Sequence, residues 1–144
     1  MKKIIYLFAL FFIFSGFSTM AQQTNKEEKA IIEFDKKVHN YGTIHQNDDG
    51  TCEFKFVNTG NVPLRLTNVR SSCGCTVPKW PRNPIAAGDS GRIEVRYNTR
   101  RMGTINKHIT VRSNAENNGV VLRIKGKVIK TPSGSPVKAK SEIQ

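Results

Sequence analysis

Helical periodicity is missing from the middle of this 144-residue chain. Nowhere between residues 30 and 130 do apolar side chains recur every 3.6 positions, which excludes a helical fold. Long apolar runs are nearly as scarce. The single one, Ile4 to Phe14, is shorter than the roughly 20 residues a membrane span needs, and no second run follows it. Acids are few, with 11 Asp and Glu against 23 Lys and Arg, a net charge of +12. Catalytic signatures are missing as well: there is no glycine-rich phosphate loop, no pair of carboxylates in a pocket signature and no metalloprotease histidine motif. Gly88-Asp89-Ser90-Gly91 resembles the segment around a trypsin-like nucleophile. Such enzymes need two barrels and a His and Asp oriented on the serine, so here the string reads as a turn entering a strand. No enzyme is expected.

What is present at the N-terminus is an export signal. Lys2 and Lys3 precede the apolar run, and small or polar residues end in Thr19-Met20-Ala21, so cleavage is expected after about Ala21. A lipid anchor would need a cysteine at that point, and the first cysteine is Cys52. Residues 1–21 are thus a signal peptide, and the mature chain of 123 residues is expected to be soluble, without a membrane span, periplasmic or extracellular. Losing Lys2 and Lys3 lowers the charge to +10. That balance favours anionic partners. Residues 22–29 read as a flexible leader and residues 131–144, rich in Pro, Gly, Ser and Lys, as a disordered tail.

Residues 30–130 are left for one domain. Its pattern is alternation. Cys52, Phe54 and Phe56 share one face of Thr51 to Val57, with Glu53 and Lys55 on the other. After a turn at Thr59-Gly60-Asn61, Leu64 and Leu66 alternate with Arg65 and Thr67. Ile93, Val95 and Tyr97 alternate with Arg92, Glu94 and Arg96. Ile105, Ile109 and Val111 form another inward row, with Lys107 as the exception, and Val120, Leu122, Ile124 and Val128 a last one. Two weaker strands fall around Ile31 to Val38 and Tyr41 to Ile44. About seven short strands, each apolar on one face, require two sheets that cover each other. The fold class is all-β, an immunoglobulin-like antiparallel β-sandwich. Its inward set of about fifteen large side chains, at ~1.5–3 kcal/mol each, suffices without a disulfide.

Residues 71–85 break the alternation. Pro78, Pro81 and Pro84 recur every third position, the repeat of polyproline II, and suggest an extended, unpaired connection. Trp80 within it is expected to plug an open end of the sandwich. Cys73-Gly74-Cys75 carries the possible chemistry: two thiols one residue apart can chelate a soft metal such as Cu(I) or form a small, easily reduced disulfide. A metal needs more ligands. His39, His45, His108 and Met102 are candidates that no spacing brings near, so no metal or other cofactor is assigned. Cys52 faces inward on its strand, and it can pair with Cys73 or Cys75 or stay a buried free thiol. The free thiol, with Cys73 bonded to Cys75, is the expectation. An exported protein meets the oxidising conditions such a bond needs.

If the strands at 105 and 120 form a hairpin through Ala115 to Gly119, then His108, Arg112, Arg123, Lys125 and Lys127 share an exposed face, which Arg65 can join from a neighbouring strand. Cations also keep sheet edges from aggregating, and a solvated face is the plainer account. The aromatic interleaving of nucleic-acid platforms is absent, so no nucleic-acid partner is expected.

Asn58-Thr59-Gly60, Pro63-Leu64, Ser72 through Pro78 with Cys73, Gly74, Cys75 and Thr76, then Trp80, Pro84-Ile85, Gly88, Lys107, Ile109 and Ser113-Asn114 resemble a family of secreted bacterial proteins defined by domain of unknown function number fifteen seventy-three. The resemblance runs from about Phe34 to Val128, with Tyr41-Gly42 where the family usually has Phe-Gly. It implies an immunoglobulin-like sandwich akin to the hydin, major sperm protein and pilus-chaperone group, mostly in Bacteroidota envelopes, and it implies no reaction. Cys52 lies outside the family pattern, which favours treating Cys73 and Cys75 as a unit. The reading is a non-catalytic exported module that binds another envelope component, a protein or an anionic glycan. A thiol-redox or copper-handling protein using Cys73-Gly74-Cys75 is one alternative; an assembly chaperone acting through a sheet edge is another.

Overall fold

The computed structural model describes residues 27–132. The signal peptide, most of the leader and nearly all of the tail lie outside the described residues. Eight strands and no helix make up what is described: β1 (Ile32–Phe34), β2 (Val38–His45), β3 (Thr51–Asn58), β4 (Leu66–Ser71), β5 (Thr76–Lys79), β6 (Ser90–Tyr97), β7 (Gly103–Ser113) and β8 (Val120–Ile129). They form two four-stranded sheets in the orders β1-β3-β6-β5 and β2-β8-β7-β4. In immunoglobulin lettering the first sheet is ABED, and the second is CFG with part of the first strand added beside G.

That addition comes from a split. The N-terminal segment pairs antiparallel with β3 as β1, then crosses to the other sheet and runs parallel to β8 as β2. Asp35 N donates to Lys55 O at 3.1 Å on one side of the crossing, and Arg123 N donates to Lys37 O at 2.8 Å on the other. Among the described residues the β2–β8 pair is the one parallel pairing, and the other strand pairs are antiparallel. A bulge between Asn40 and Thr43 bends β2 there, with Gly42 at φ 63° supplying a left-handed backbone and Asn40 Oδ1 accepting from Gly42 N at 2.9 Å.

The core follows the alternation. Phe54, Phe56, Ile93 and Val95 of the first sheet, and Ile105, Ile109, Leu122 and Ile124 of the second, are fully buried or nearly so. Each contributes ~1.5–3 kcal/mol of burial. Ile32, Phe34, Val69, Ile85 and Ala115 join them. Asn58 is the polar exception. Its side chain is completely buried yet fully engaged, with Nδ2 donating to Val62 O (2.8 Å) and Ile85 O (3.1 Å) and Oδ1 accepting from Gly60 N (3.1 Å). Asn58 thereby ties together the turn at 59–62 and the strand entry at 85, which gives Asn58-Thr59-Gly60 a structural reason.

Two expectations are corrected. Part of the segment expected to be unpaired, Thr76–Lys79, pairs antiparallel with β6 and makes the eighth strand of a sandwich expected to have about seven. Pro78 is tolerated because β5 is an edge strand: Cys75 O accepts from Asn98 N at 2.9 Å, so the alternation turns the Pro78 nitrogen away from β6. The strand expected at 64–67 begins later and runs longer. Leu64 makes only an isolated bridge with Ile85, and β4 spans Leu66–Ser71.

Candidate functional site

The two sheets carry charge differently. On the first, Glu33, Glu53 and Glu94 face Lys55, Lys79, Arg92 and Arg96, and two ion pairs form, Lys79 with Glu94 (3.6 Å) and Arg92 with Glu53 (3.7 Å). The four strands of the second sheet hold no Asp or Glu. Arg70, His108, Arg112, Arg123, Lys125 and Lys127 all lie exposed on its outer side. The register sets their neighbours: His108 stands opposite Arg123, Asn106 opposite Lys125, Thr104 opposite Lys127, and Arg70 opposite Thr110. Strand neighbours are about 4.8 Å apart, so Arg123 and His108 sit side by side across β8 and β7, and Arg70 follows on β4 two residues further along the sheet, beside Thr110. Among the described residues none of these six, nor Arg65, has an ion-pair partner.

Arg65 sits one residue before β4, held at the end of the sheet by Asn114, whose Oδ1 accepts from Arg65 N at 2.7 Å and whose N donates to Arg65 O at 3.1 Å. It is exposed at the 113–119 end of the hairpin. Arg70 was absent from the residues singled out in the sequence. A bulge between Leu66 and Asn68 shifts the alternation by one position and hides the far half of β4. Lys107, the exception in its row, is half-buried on the inward side of β7.

The second candidate is the turn from β4 to β5, which crosses from one sheet to the other. Cys73 and Cys75 are joined by a disulfide there, and Cys52 is a buried free thiol on β3. The bond spans a sequence separation of 2. Closing so small a loop removes only about 1.6 kcal/mol of unfolded-state entropy, below the usual range. His108 is nearer this turn than the sequence suggested: Ser72 N donates to His108 O at 2.9 Å and His108 N to Ser72 Oγ at 3.3 Å. Its ring, however, belongs to the exposed outer face, whereas Cys73 and Cys75 pack against the core. Among the described residues no three of His, Cys, Asp and Glu cluster as metal ligands would.

An open depression of about 660 Å³ borders the disulfide, lined by Gly74, Cys75, Val77, Arg96 and Arg100 together with Asp48 and Asp49. No residue of the second sheet lines it.

Residues 32–128 match the family described as "Protein of unknown function (DUF1573)". The chain belongs to this family. Among solved structures, a protein of unknown function from Porphyromonas gingivalis W83 is similar at 16% identity and a TM-score of 0.64, over 73% of this chain and 50% of that one. The ASH/PapD-like domain 7 of human CEP192 is similar at 10% identity and 0.61, over 81% and 97%. The secreted serine protease VesC from Vibrio cholerae is similar at 15% identity and 0.52, over 68% and 23%. The chain thus spans half the Porphyromonas protein and under a quarter of the protease, and at these identities the likeness is one of fold. No curated protein matches the sequence.

In this DUF1573 domain Ser90 opens β6 of the first sheet, while His39, His45 and His108 all lie on the second. The serine and the histidines therefore belong to different sheets. Trp80 packs half-buried against the core under the Arg82 guanidinium, 3.8 Å above the ring, and its buried Nε1 has no hydrogen-bond partner. Tyr41 reaches from β2 to the start of β3 in the other sheet and donates its hydroxyl to Gly50 O at 2.7 Å. Burial pushes the Tyr41 hydroxyl far above the ordinary tyrosine range. Burial also raises the Cys52 thiol, against a smaller opposing effect of a Tyr41 hydrogen bond. His39, edge-on to Tyr41, is lowered by burial and by Lys36. Cys52 is a packed, weakly acidic thiol, which suits a small core hydrophobe and not a nucleophile.

Proposed function

We propose that this DUF1573 protein is an exported, non-catalytic envelope module that binds an anionic glycan of the cell envelope through the outer face of its second sheet. One observation carries the reading: four adjacent strands without a single acid present Arg70, His108, Arg112, Arg123, Lys125 and Lys127 on one exposed face. On the first sheet, by contrast, cations are interleaved with Glu33, Glu53 and Glu94, and Lys79 and Arg92 are paired with two of them. An uncompensated row attracts a polyanion at long range and holds it by several weak contacts. No Phe, Tyr or Trp stands on that face to stack bases, which favours a glycan over a nucleic acid. Export rests on the first 21 residues and the family resemblance. The absence of catalytic motifs, and the separation of Ser90 from every histidine, support a non-catalytic role.

A chaperone acting through a sheet edge has less support. The β5 edge lacks a donor at Pro78, and the short β1 edge is occupied by a side chain from the 115–119 turn.

The test is a pull-down of the protein with anionic envelope glycans. Binding should fall as salt rises and vanish in Arg123→Glu/Lys125→Glu. Binding that survives this double charge reversal overturns the reading, and capture of an acidic protein in place of a glycan redirects it to a protein partner.

A further inference from the structure

The cationic face leaves the cysteine pair unused. We propose that Cys73–Cys75 is a thiol–disulfide exchange site that takes as substrate a dithiol carried by another exported polypeptide. The bond is not needed to hold its turn. On the β4 side Ser72 is fastened to β7 by two hydrogen bonds with the His108 backbone (2.9 and 3.3 Å). On the β5 side Cys75 O accepts from Asn98 N at 2.9 Å, and Thr76 N donates to Cys73 O at 3.4 Å across the turn. Both ends of the crossover are thus anchored by backbone, and the sulfur bridge can open without releasing either sheet. A bridge that closes a minimal loop between anchored ends constrains almost nothing. Accessible bridges of this kind are the ones that exchange.

Access is built in. Gly74 is exposed, and a Cβ in its place would meet no atom within 4 Å, so an incoming chain can pass closely over the turn. Cys73 is half-buried and Cys75 buried, which makes Cys73 Sγ the sulfur a partner reaches first. The depression beside them, which Gly74 and Cys75 line, offers an extended segment a bed with an apolar contact, since Val77 is 57% exposed, and with charges of both signs, Arg96 and Arg100 together with Asp48 and Asp49, for its polar groups. Thr76 Oγ1 lies 3.8 Å from Cys73 Sγ and 3.9 Å from Cys75 Sγ, in place to donate to the sulfur that takes the charge.

In the exchange, one thiolate of the substrate attacks Cys73 Sγ. A bond forms between the two sulfurs, the Cys73–Cys75 bond breaks, and its electron pair leaves on Cys75 Sγ, which takes up the proton lost by the substrate. The second substrate thiolate then attacks its own half of the mixed disulfide and expels Cys73 as a thiolate, which is protonated in turn. The substrate has lost two electrons and two protons to become a disulfide. Cys73 and Cys75 have gained them and are two thiols.

The experiment uses the oxidised protein, dithiothreitol, and a reduced synthetic peptide with two cysteines, with alkylation and mass spectrometry as the readout. The expected result is reduction of Cys73–Cys75 in native buffer with an unchanged β-sheet circular dichroism spectrum, stoichiometric conversion of the peptide to its disulfide, and no labelling of Cys52. A peptide with a single cysteine already held in a disulfide with thionitrobenzoate runs the exchange in reverse: the free Cys73 thiolate of Cys75→Ala should attack it, expel thionitrobenzoate and keep the peptide as a mixed disulfide, and Cys73→Ala should keep none. Reduction that occurs only in denaturant, or that melts the sandwich, overturns the proposal. So does an activated peptide kept by Cys73→Ala and not by Cys75→Ala. Wild-type reduction and the Cys73→Ala variant keep the test decisive if Cys75→Ala does not fold.

Discussion

Asn117 pairs with Ile32 as a neighbouring strand would. Its Nδ2 donates to Ile32 O at 2.7 Å and its Oδ1 accepts from Ile32 N at 3.1 Å. A side-chain amide carries the same donor and acceptor as a peptide unit, so one residue of the 115–119 turn satisfies both outward groups of Ile32 and covers that part of the β1 edge. Glu116 N, donating to Ala30 O at 2.9 Å, extends the same seam.

Replacing Asn117 with Ala should therefore free both Ile32 groups. The expected cost is about 1–3 kcal/mol for the pair of lost bonds, measured by urea denaturation, and a new concentration-dependent species on size exclusion as the edge becomes available. A variant that remains monomeric with unchanged stability would show that water replaces Asn117 without loss.

Asn58→Leu should be the more damaging change. It leaves Val62 O and Gly60 N without their partner in a partly buried site, while Ile85 O keeps only the Leu64 N bond, and each buried group left unpaired costs about 1–3 kcal/mol. Thermal unfolding followed by circular dichroism should place it well below Asn61→Ala, whose side-chain contacts to Lys29 N and Glu27 O are at the surface or only partly buried.

The charge asymmetry makes a paired prediction. Charge reversal at Arg123 and Lys125 should abolish polyanion binding, whereas Lys79→Glu with Arg92→Glu on the first sheet should leave it unchanged. Neither pair should change the free energy of unfolding by more than a few tenths of a kcal/mol, because exposed charges contribute little to stability. Isothermal titration at two salt concentrations separates the arms.

Alkaline pH should weaken the domain through Tyr41 and Cys52. Both groups are raised above their ordinary values of 10.0 and 9.0 by burial. The unfolded chain therefore loses these protons first, and the stability that depends on keeping them is complete below pH 9 and is lost as pH climbs through and beyond 10. Chemical denaturation across pH 8 to 11 should show that decline, and Tyr41→Phe should flatten it. A Tyr41→Phe profile with the slope of the wild type would refute the assignment.

Much of this architecture was legible along the chain because alternation in a half-buried strand is a local property. Phe54 and Phe56, Ile93 and Val95, Leu122 and Ile124 each announce an inward face from their spacing alone. Where local geometry departs from the pattern, so did the reading. The bulge after Leu66 hid the second half of β4 and with it Arg70. The prolines around Trp80 suggested an unpaired connection, although an edge strand needs donors on one side only and Pro78 sits on the other.

Sequence by itself determined the all-β class, the two-layer packing, the inward residues and the sign of the surface charge, because each depends on side-chain type at a period of two. Only the tertiary structure decided that β2 runs parallel to β8 and that every acid among the strands falls on the first sheet. It also decided that Ser72 lies beside His108 while Cys73 and Cys75 turn inward. Those are statements about which strands become neighbours. Neighbours are chosen by the fit of whole faces across the core, a non-local balance that no short window of sequence contains.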